Sequence, residues 1–376
     1  MGQILIGARW LELLKDVIQP DRETHAIPMM DGPLHPNNGL DSCPIISDAF
    51  SRPDDLVFTG DGRLLVGDAD GVFALDPNGD GEPTLLHRFE APVTGVDCLE
   101  DGSLAVCLDG IGVVIKNADG EETGRLVDVD GAAVNCPTAV LFRDADEVYI
   151  AQGSSFHNEA NWVHDLMQKN ASGRVIRWNQ RSGQADVMMD GLAYPYGLAL
   201  DHDGRSLLVC ESWAHMIFKI PLDAADKTTV RDVVVANLPG YPARIIALDN
   251  GGYMLAMFAM RTEMLEFVLK EDKYRREMME TIEPQYWIRP TLEPDRHFLE
   301  PLQGGGFRVL GIIKPWAPPR SYGLVIELDE VYEAIGSLHS RADGYNHGIT
   351  GLSAIGSIIA ATAKGNGKII NVSGAT

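Results

Sequence analysis

The chain has 376 residues, with 54 acidic and 31 basic side chains, and its formal net charge is −23. A surface this negative repels phosphate backbones and anionic lipids, so we expect neither nucleic acid nor membrane partners. The five cysteines show no CxxC spacing, which argues against zinc knuckles and thioredoxin-type sites. The sequence shows neither a signal-peptide pattern nor an apolar run of roughly 18 residues, so we expect a cytoplasmic protein.

The N-terminal segment has the pattern of a short amphipathic helix. Leu11, Leu14 and Val17 are apolar, and charged residues lie between them. Apolar residues at this spacing share one face of a helix. We therefore predict a helix in the first part of residues 1–50.

Six similar units follow along the chain. Each has an apolar strand, a tight turn, a second apolar strand, a polar loop and usually a third strand. The units begin at Pro53, Val93, Pro137, Pro195, Pro242 and Ile349. A repeat of about 40 residues with several strands per unit is typical of a β-propeller. We predict an all-β, six-bladed β-propeller in which residues 1–376 form a single domain.

Turn residues support the hairpins of these units. Glycine and asparagine accept the positive φ that two-residue hairpin turns need. Such pairs stand at Asp61-Gly62, Asp101-Gly102, Asp203-Gly204 and Asn250-Gly251. We therefore expect two-residue turns between the first and second strands of these blades.

The sixth unit has only three obvious strands, and a propeller that does not close leaves a sheet edge exposed. We predict that residues 20–50, near the segment THAIPMM, supply the missing outer strand. The N-terminal region 1–50 would then hold a helix and the ring-closing strand.

Two insertions interrupt the repeat. Residues 154–173 lie between the second and third strands of blade three, and we expect a helix near Trp162–Gln168. Residues 261–320 follow the second strand of blade five, with helical spacing first and then a proline-rich stretch. Long loops in compact folds usually have a function, so we interpret this second insertion as a lid.

Propeller topology brings both insertions to one face. The loop before strand one and the loop between strands two and three of every blade meet there, at the mouth of the central channel. A concave mouth with converging polar groups is the usual position of a ligand site. We therefore expect the site at this face.

The chain resembles a known family most strongly between Ser172 and Ile245. The order of Ser-Gly-Arg, Gly-Leu, Asp-Gly-Arg, Cys-Glu-Ser and Leu-Pro-Gly-Tyr-Pro in this stretch is more specific than any single motif. A second anchor is IGSLHSRADGYNHGITGLSAIG, near the C-terminus. With these motifs the chain resembles the strictosidine-synthase-like branch of the superfamily of regucalcin, gluconolactonases and paraoxonase-type calcium lactonases. The resemblance extends from about Pro53 to Val372 and implies six blades.

The resemblance also implies a position for a metal. Calcium lactonases hold the ion with a blade-one carboxylate and with Asn and Asp side chains from later blades. The corresponding positions here are Asp54, Tyr196 and the pair Ala243-Arg244. One ligand is kept and two are replaced, so no cofactor is strongly implied. Calcium or another divalent metal at Asp54 stays an open alternative.

We predict a hydrolase that acts on a lactone or ester of a small organic substrate. His347, His157 and Glu211 are the candidate catalytic residues, and a histidine would act as the base. Arg244 would bind a carboxylate or an oxyanion, and Tyr196 would orient the substrate. The candidate substrate-binding residues are Tyr196, Arg244, Trp162, Trp213, Thr138 and Asp55.

Three alternatives remain open. Strictosidine synthase condenses an amine with an aldehyde and uses a glutamate before blade six, but that position here is Ile349. A non-catalytic ligand-binding propeller is the second alternative. The third is a rebuilt calcium site with Asp54, Asp55 and Glu211 as ligands. The sequence predicts no oligomeric state.

Overall fold

The computed structural model describes residues 27–77, 82–223, 231–293, 308–309, 312–313 and 320–373. These residues contain six four-stranded antiparallel sheets. The first strands of neighbouring sheets contact one another in a closed ring, from blade one to blade six and back to blade one. The predicted six-bladed β-propeller is therefore confirmed.

Each blade runs from an inner strand at the channel to an outer strand at the rim. Blade one contains Asp55–Phe58, Leu64–Asp68, Gly71–Leu75 and Thr84–Arg88. Blade two contains Val93–Cys98, Leu104–Leu108, Gly112–Lys116 and Glu122–Leu126. Blade three contains Pro137–Phe142, Glu147–Gln152, Gly173–Asn179 and Gln184–Leu192.

The second half of the ring repeats this arrangement. Blade four contains Pro195–Leu200, Ser206–Glu211, Met216–Pro221 and Asp232–Val235. Blade five contains Gly240–Ala247, Tyr253–Met260, Gly323–Leu328 and Ala334–Ser340. Blade six contains Ile349–Ile355, Ile358–Ala363, Lys368–Asn371 and Ile45–Ser47. Two small hairpins pair Asp128–Val129 with Ala132–Ala133 and Arg308–Val309 with Ile312–Ile313.

Burial explains why the sequences of the middle strands of each blade are continuous apolar runs. Every residue of Leu104–Leu108 is buried because both faces of this strand are covered by neighbouring blades. The outer strand Thr84–Arg88 is mostly exposed. The apolar core therefore lies between the blades, and the channel is left for polar groups.

The hairpin turns are longer than the sequence predicted, by one residue in blades one, two and five and by two residues in blade four. In blade one, Thr59 N donates to Arg63 O at 2.9 Å and Gly62 N donates to Thr59 O at 2.9 Å. The loop thus has three residues, with Gly62 at φ 86° as its last residue. A three-residue loop needs one left-handed residue at its end, which glycine adopts at little cost.

The ring closes through a short strand near the N-terminus. Ile45–Ser47 pairs antiparallel with Lys368–Asn371 as the outer strand of blade six. This strand lies within residues 20–50, as predicted. The prediction of a strand near the segment THAIPMM was wrong, because residues 27–30 of that segment have no regular secondary structure. The helix predicted in the first 20 residues lies outside the described residues.

The helices lie between second and third strands. Helix α1 (Trp162–Gln168) belongs to blade three, and α2 (Glu263–Lys270) and α3 (Asp272–Thr281) belong to blade five. Thr262 caps α2, because its side chain accepts a hydrogen bond from Leu265 N. Short 3₁₀ turns occupy Gly32–Leu34, Leu40–Ser42, Glu159–Asn161, Pro284–Tyr286 and Lys364–Asn366.

Candidate functional site

A cavity of about 690 Å³ opens at the channel mouth. It lies between the segment before blade one, helix α1, the end of the blade-five insertion and a turn of blade six. Its lining is formed by Ser51, Arg52, Trp162, Gln285, Arg289, Thr291, Leu292, Glu293, Arg320, Lys364 and Gly365. Four of these side chains are basic, in contrast to the acidity of the whole chain.

Lys364 forms the charged floor of this cavity. Its Nζ donates to Asp54 Oδ2 at 2.5 Å and to Glu159 Oε1 at 2.8 Å. All three side chains are buried, with no more than 8% of each exposed. One ammonium group therefore joins carboxylates that come from blade one and from the blade-three insertion.

Backbone geometry fixes Lys364 in this position. It begins the 3₁₀ turn Lys364–Asn366, directly after the second strand of blade six. A Cβ atom on Gly365 would lie 2.0 Å from Leu292 O. Only glycine lets the turn approach segment 285–293 this closely, so the turn forms one wall of the cavity.

Glu159 is held by a carboxylate of blade two. Asp109 Oδ1 accepts a hydrogen bond from Glu159 N at 2.6 Å, and Asp109 Oδ2 accepts one from Ala160 N at 3.3 Å. Burial raises the pKa of Asp109, whereas these backbone hydrogen bonds lower it. Asp109 thus orients the first turn of the insertion and points Glu159 toward Lys364.

A phenol completes the floor. Tyr196 OH donates to Asp54 Oδ1 at 2.7 Å. Burial, followed by the negative charge of Asp54, raises the pKa of Tyr196 well above its usual value. Tyr196 is therefore a neutral hydrogen-bond donor at neutral pH. A second, small cavity of about 10 Å³ lies beside this group and shares Trp162 and Leu292 with the larger cavity; its lining is formed by Glu159, Trp162, Tyr194, Tyr196, Phe258 and Leu292.

Arg244 lies deeper in the channel and spans it. Its guanidinium donates to Asp55 Oδ2 at 3.1 Å and is 4.9 Å from the centre of the Tyr196 ring. It also donates to three backbone carbonyls: Tyr196 O at 2.6 Å, Thr94 O at 2.8 Å and Thr138 O at 2.6 Å. This one side chain links the inner strands of five blades.

Both buried cations remain charged. Burial alone would lower the pKa of Lys364, but the carboxylates of Asp54 and Glu159 raise it above the usual value. The same balance raises the pKa of Arg244, with Asp55 as the largest favourable contribution. The centre of the propeller therefore contains two positive groups fixed by hydrogen bonds.

Sequence comparison shows which known proteins this chain resembles. A family model described as strictosidine synthase matches residues 139–224. The adipocyte plasma membrane-associated protein of Danio rerio is 26% identical over 278 residues, which cover 68% of this chain and 66% of that protein. Protein STRICTOSIDINE SYNTHASE-LIKE 1 of Arabidopsis thaliana is 27% identical over 165 residues, covering 43% and 41%.

Part of the chain, residues 139–224, is thus similar to the strictosidine synthase family. Solved structures agree on the fold. Regucalcin from Agrobacterium tumefaciens, a calcium-binding protein, has a TM-score of 0.56 at 10% identity and covers 88% of this chain and 92% of its own. A gluconolactonase of Xanthomonas campestris has a TM-score of 0.56 at 13% identity and covers 87% of both chains. These two structures support the six-bladed fold.

The chain has no membrane-crossing helix among its described residues. None of the helices there has the length and apolar composition needed to span a bilayer.

The structure brings some of the sequence-based candidates together. Trp162 lines the cavity, and Tyr196 contacts Asp54 at its floor. Thr138 and Asp55 lie deeper, where both bind Arg244. Trp213 stacks on Tyr194, with 4.4 Å between ring centres, and so supports the wall without lining the cavity.

The three candidate catalytic residues are not brought together. His347 is fully buried, with Nδ1 at 2.9 Å from Ser321 Oγ and Nε2 at 2.8 Å from Arg341 O. His157 binds Gln168 of α1 at 2.8 Å. Glu211 forms an ion pair with Arg231 at 3.3 Å. None of the three is among the described residues that line the cavity.

Lys364 and Glu159 are the functional candidates that sequence reasoning did not select. Both lie in loops that the repeat assigns to the mouth. No local motif distinguishes them from other polar loop residues, because their partners are distant in sequence. Contact across the channel is the property that singles them out.

The residues of the site do not fit the metal that the resemblance implies. Arg244 and the neutral phenol of Tyr196 stand at two of the implied ligand positions, and Lys364 places an ammonium against Asp54, the carboxylate at the third position. Among the described residues, no group of three or more His, Cys, Asp or Glu side chains could hold a metal ion. The alternative ligand set also fails, because Asp54, Asp55 and Glu211 bind Lys364, Arg244 and Arg231 respectively.

Proposed function

We propose that this chain is a small-molecule hydrolase that opens a lactone or cleaves an ester in the mouth cavity. The observation that carries this proposal is the buried ammonium of Lys364 between the carboxylates of Asp54 and Glu159. A carboxylate base beside a fixed cation can activate water and stabilise an oxyanion without a metal. The likeness to a gluconolactonase structure supports this reaction class.

In the proposed reaction, Glu159 accepts a proton from a water molecule while the water oxygen bonds to the substrate carbonyl carbon. The negative charge that develops on the carbonyl oxygen is stabilised by the ammonium of Lys364. The carbon–oxygen bond to the leaving group then breaks, and the departing alkoxide takes the proton from Glu159. The products are a carboxylic acid and an alcohol, and Glu159 is again a carboxylate.

Two further residues hold this arrangement in place. Asp109 orients the turn that carries Glu159, and Tyr196 donates to the Asp54 oxygen that faces away from Lys364. Because the donors are fixed before the reaction, stabilising the oxyanion requires little reorganisation. Both are positioning residues in this proposal.

The sequence-based choice of a histidine base receives no support from the cavity. Both ring nitrogens of His347 have protein partners, and His157 faces Gln168. We therefore assign the base to Glu159 and give these histidines structural roles.

The test is a substrate screen with one carboxylate removed. Wild type, Glu159→Gln and Glu122→Gln are assayed against γ-lactones, δ-lactones, p-nitrophenyl esters and amine–aldehyde pairs. Glu122 is an exposed glutamate on the outer strand of blade two, paired with Arg125, and serves as the matched control. We expect Glu159→Gln to lower kcat/KM by about 10²- to 10⁴-fold and the control to be unchanged. Full activity in Glu159→Gln would refute the assignment.

A non-catalytic ligand-binding propeller is the second candidate. It is favoured by one observation: each charged group of the floor already has an opposite charge in contact. Saturable binding of a lactone in a titration, with no product formed by wild type, would identify this function. The condensing activity is disfavoured because Ile349 is fully buried in the core and has no proton to transfer.

A further inference from the structure

The two buried cations of the channel connect the whole ring. Arg244, from blade five, contacts blades one to four through Asp55, Thr94, Thr138 and Tyr196. Lys364, from blade six, contacts blade one and the blade-three insertion. Together they reach every blade, as a central ion with ligands from several blades would.

The geometry around Lys364 resembles that of a coordinated cation. Its Nζ lies 2.5 Å from Asp54 Oδ2 and 2.8 Å from Glu159 Oε1. Calcium–oxygen distances are about 2.3–2.6 Å, so an ion at the position of Nζ would meet both carboxylates at nearly these separations. The ammonium therefore occupies the point at which negative charge from two distant parts of the chain converges.

Backbone contacts strengthen this comparison. The Asp54 carbonyl accepts hydrogen bonds from Thr350 Oγ1 at 2.7 Å and from Thr362 Oγ1 at 3.2 Å. These hydroxyls tie blade six to blade one directly beside the lysine. The carboxylates are thus held in place by several neighbours, and their mutual repulsion is relieved by Lys364.

We propose that Lys364 is a built-in cation that replaces a bound divalent metal, so that this propeller folds without metal and becomes calcium-responsive when the lysine is removed. Without the ammonium, the buried Asp54 carboxylate would lose its paired cation and the Glu159 carboxylate would keep only Arg52, at 4.0 Å, which is strongly destabilising. A divalent ion from solution can then enter the vacated space and bind both carboxylates. This inference is independent of the proposed hydrolysis, because its readout is stability.

The experiment compares three proteins: wild type, Lys364→Met and Lys219→Met. Lys219 is the matched control, since its Nζ also lies 2.5 Å from a carboxylate, that of Asp201, but its side chain is more exposed and binds one carboxylate. Melting temperatures are measured in EDTA, in millimolar CaCl₂ and in millimolar MgCl₂. Isothermal titration with CaCl₂ then gives the dissociation constant for any protein that responds.

Three results are expected. Wild type melts at the same temperature in EDTA and in calcium. Lys364→Met melts lower than wild type in EDTA and recovers by roughly 0.5–2 °C in about 1 mM calcium, with a dissociation constant on the order of 0.1–1 mM. Lys219→Met shows no calcium response. Calcium stabilisation of the wild type, or a Lys364→Met protein indifferent to calcium, would overturn the proposal.

A second variant keeps the test decisive if Lys364→Met does not fold. The double variant Lys364→Met/Glu159→Gln removes one of the two uncompensated charges. We expect it to fold better than Lys364→Met and to lose the calcium response. If instead both variants fail to fold with or without calcium, the lysine acts through packing and the charge-replacement proposal is wrong.

Discussion

Removal of Arg244 gives the sharpest test of the channel architecture. In Arg244→Met, Asp55 loses its cation, and three backbone carbonyls, of Thr94, Thr138 and Tyr196, lose their donor. Breaking a buried ion pair by removing one partner costs about 3–5 kcal/mol. Each buried acceptor left without a donor adds about 1 kcal/mol. We therefore expect a loss of roughly 6–8 kcal/mol in the free energy of unfolding.

Urea unfolding monitored by tryptophan fluorescence measures this loss. Arg125→Met is the control, because Arg125 bridges Glu122 and Glu90 on an exposed strand. Exposed ion pairs contribute about 0–1 kcal/mol, so the control should unfold close to wild type. Adding Asp55→Asn to Arg244→Met should recover part of the stability, since no buried charge is then left unpaired. If Arg244→Met is no less stable than the control, the guanidinium does not hold the inner strands together.

The half-buried Asp97 and the buried His215 predict how the free energy of unfolding changes with pH. Burial raises the pKa of Asp97 to about 7. The folded state therefore binds a proton at Asp97 more tightly than the unfolded state does. The free energy of unfolding should fall as the pH rises from about 4 to 7 and this proton is lost. In Asp97→Asn, the urea concentration at the unfolding midpoint should change less with pH across that range. The same dependence on pH as in wild type would contradict the prediction. Burial, with a smaller contribution from Arg261, lowers the pKa of His215 to about 3. The free energy of unfolding should therefore fall as the pH drops from about 6.5 toward 3. In thermal melts, the melting temperature of His215→Asn should fall less over this range than that of wild type. An equal fall would rule out His215 as the cause.

The blades were predictable because their signals are local. An apolar run such as Leu104–Leu108, a turn ending in Gly102 and a second apolar run are all read from neighbouring residues. Repetition then specifies a ring, since each hairpin must bury its faces against another. The closing strand Ile45–Ser47 was placed too early because three residues carry little periodicity, and pairing with Lys368–Asn371 decides its position.

The site was only partly predictable, for the same physical reason. Propeller topology assigned the site to the face where the cavity opens, and the candidates included Tyr196 and Asp54. It did not distinguish Lys364 from His347, although one lines the cavity and the other is enclosed by Ser321 and Arg341. Both are polar residues beside strands of blade six, and their surroundings come from other parts of the chain.

The sequence by itself therefore determined the architecture: six repeated sheets, two insertions into the repeat, and replaced residues at the metal-ligand positions. The tertiary structure decided the chemistry of the centre. Lys364 is 310 residues from Asp54 and 205 residues from Glu159, and no pattern in the sequence relates positions so far apart. Closure of the ring brings these side chains within hydrogen-bonding distance, and their burial there gives the contact its strength.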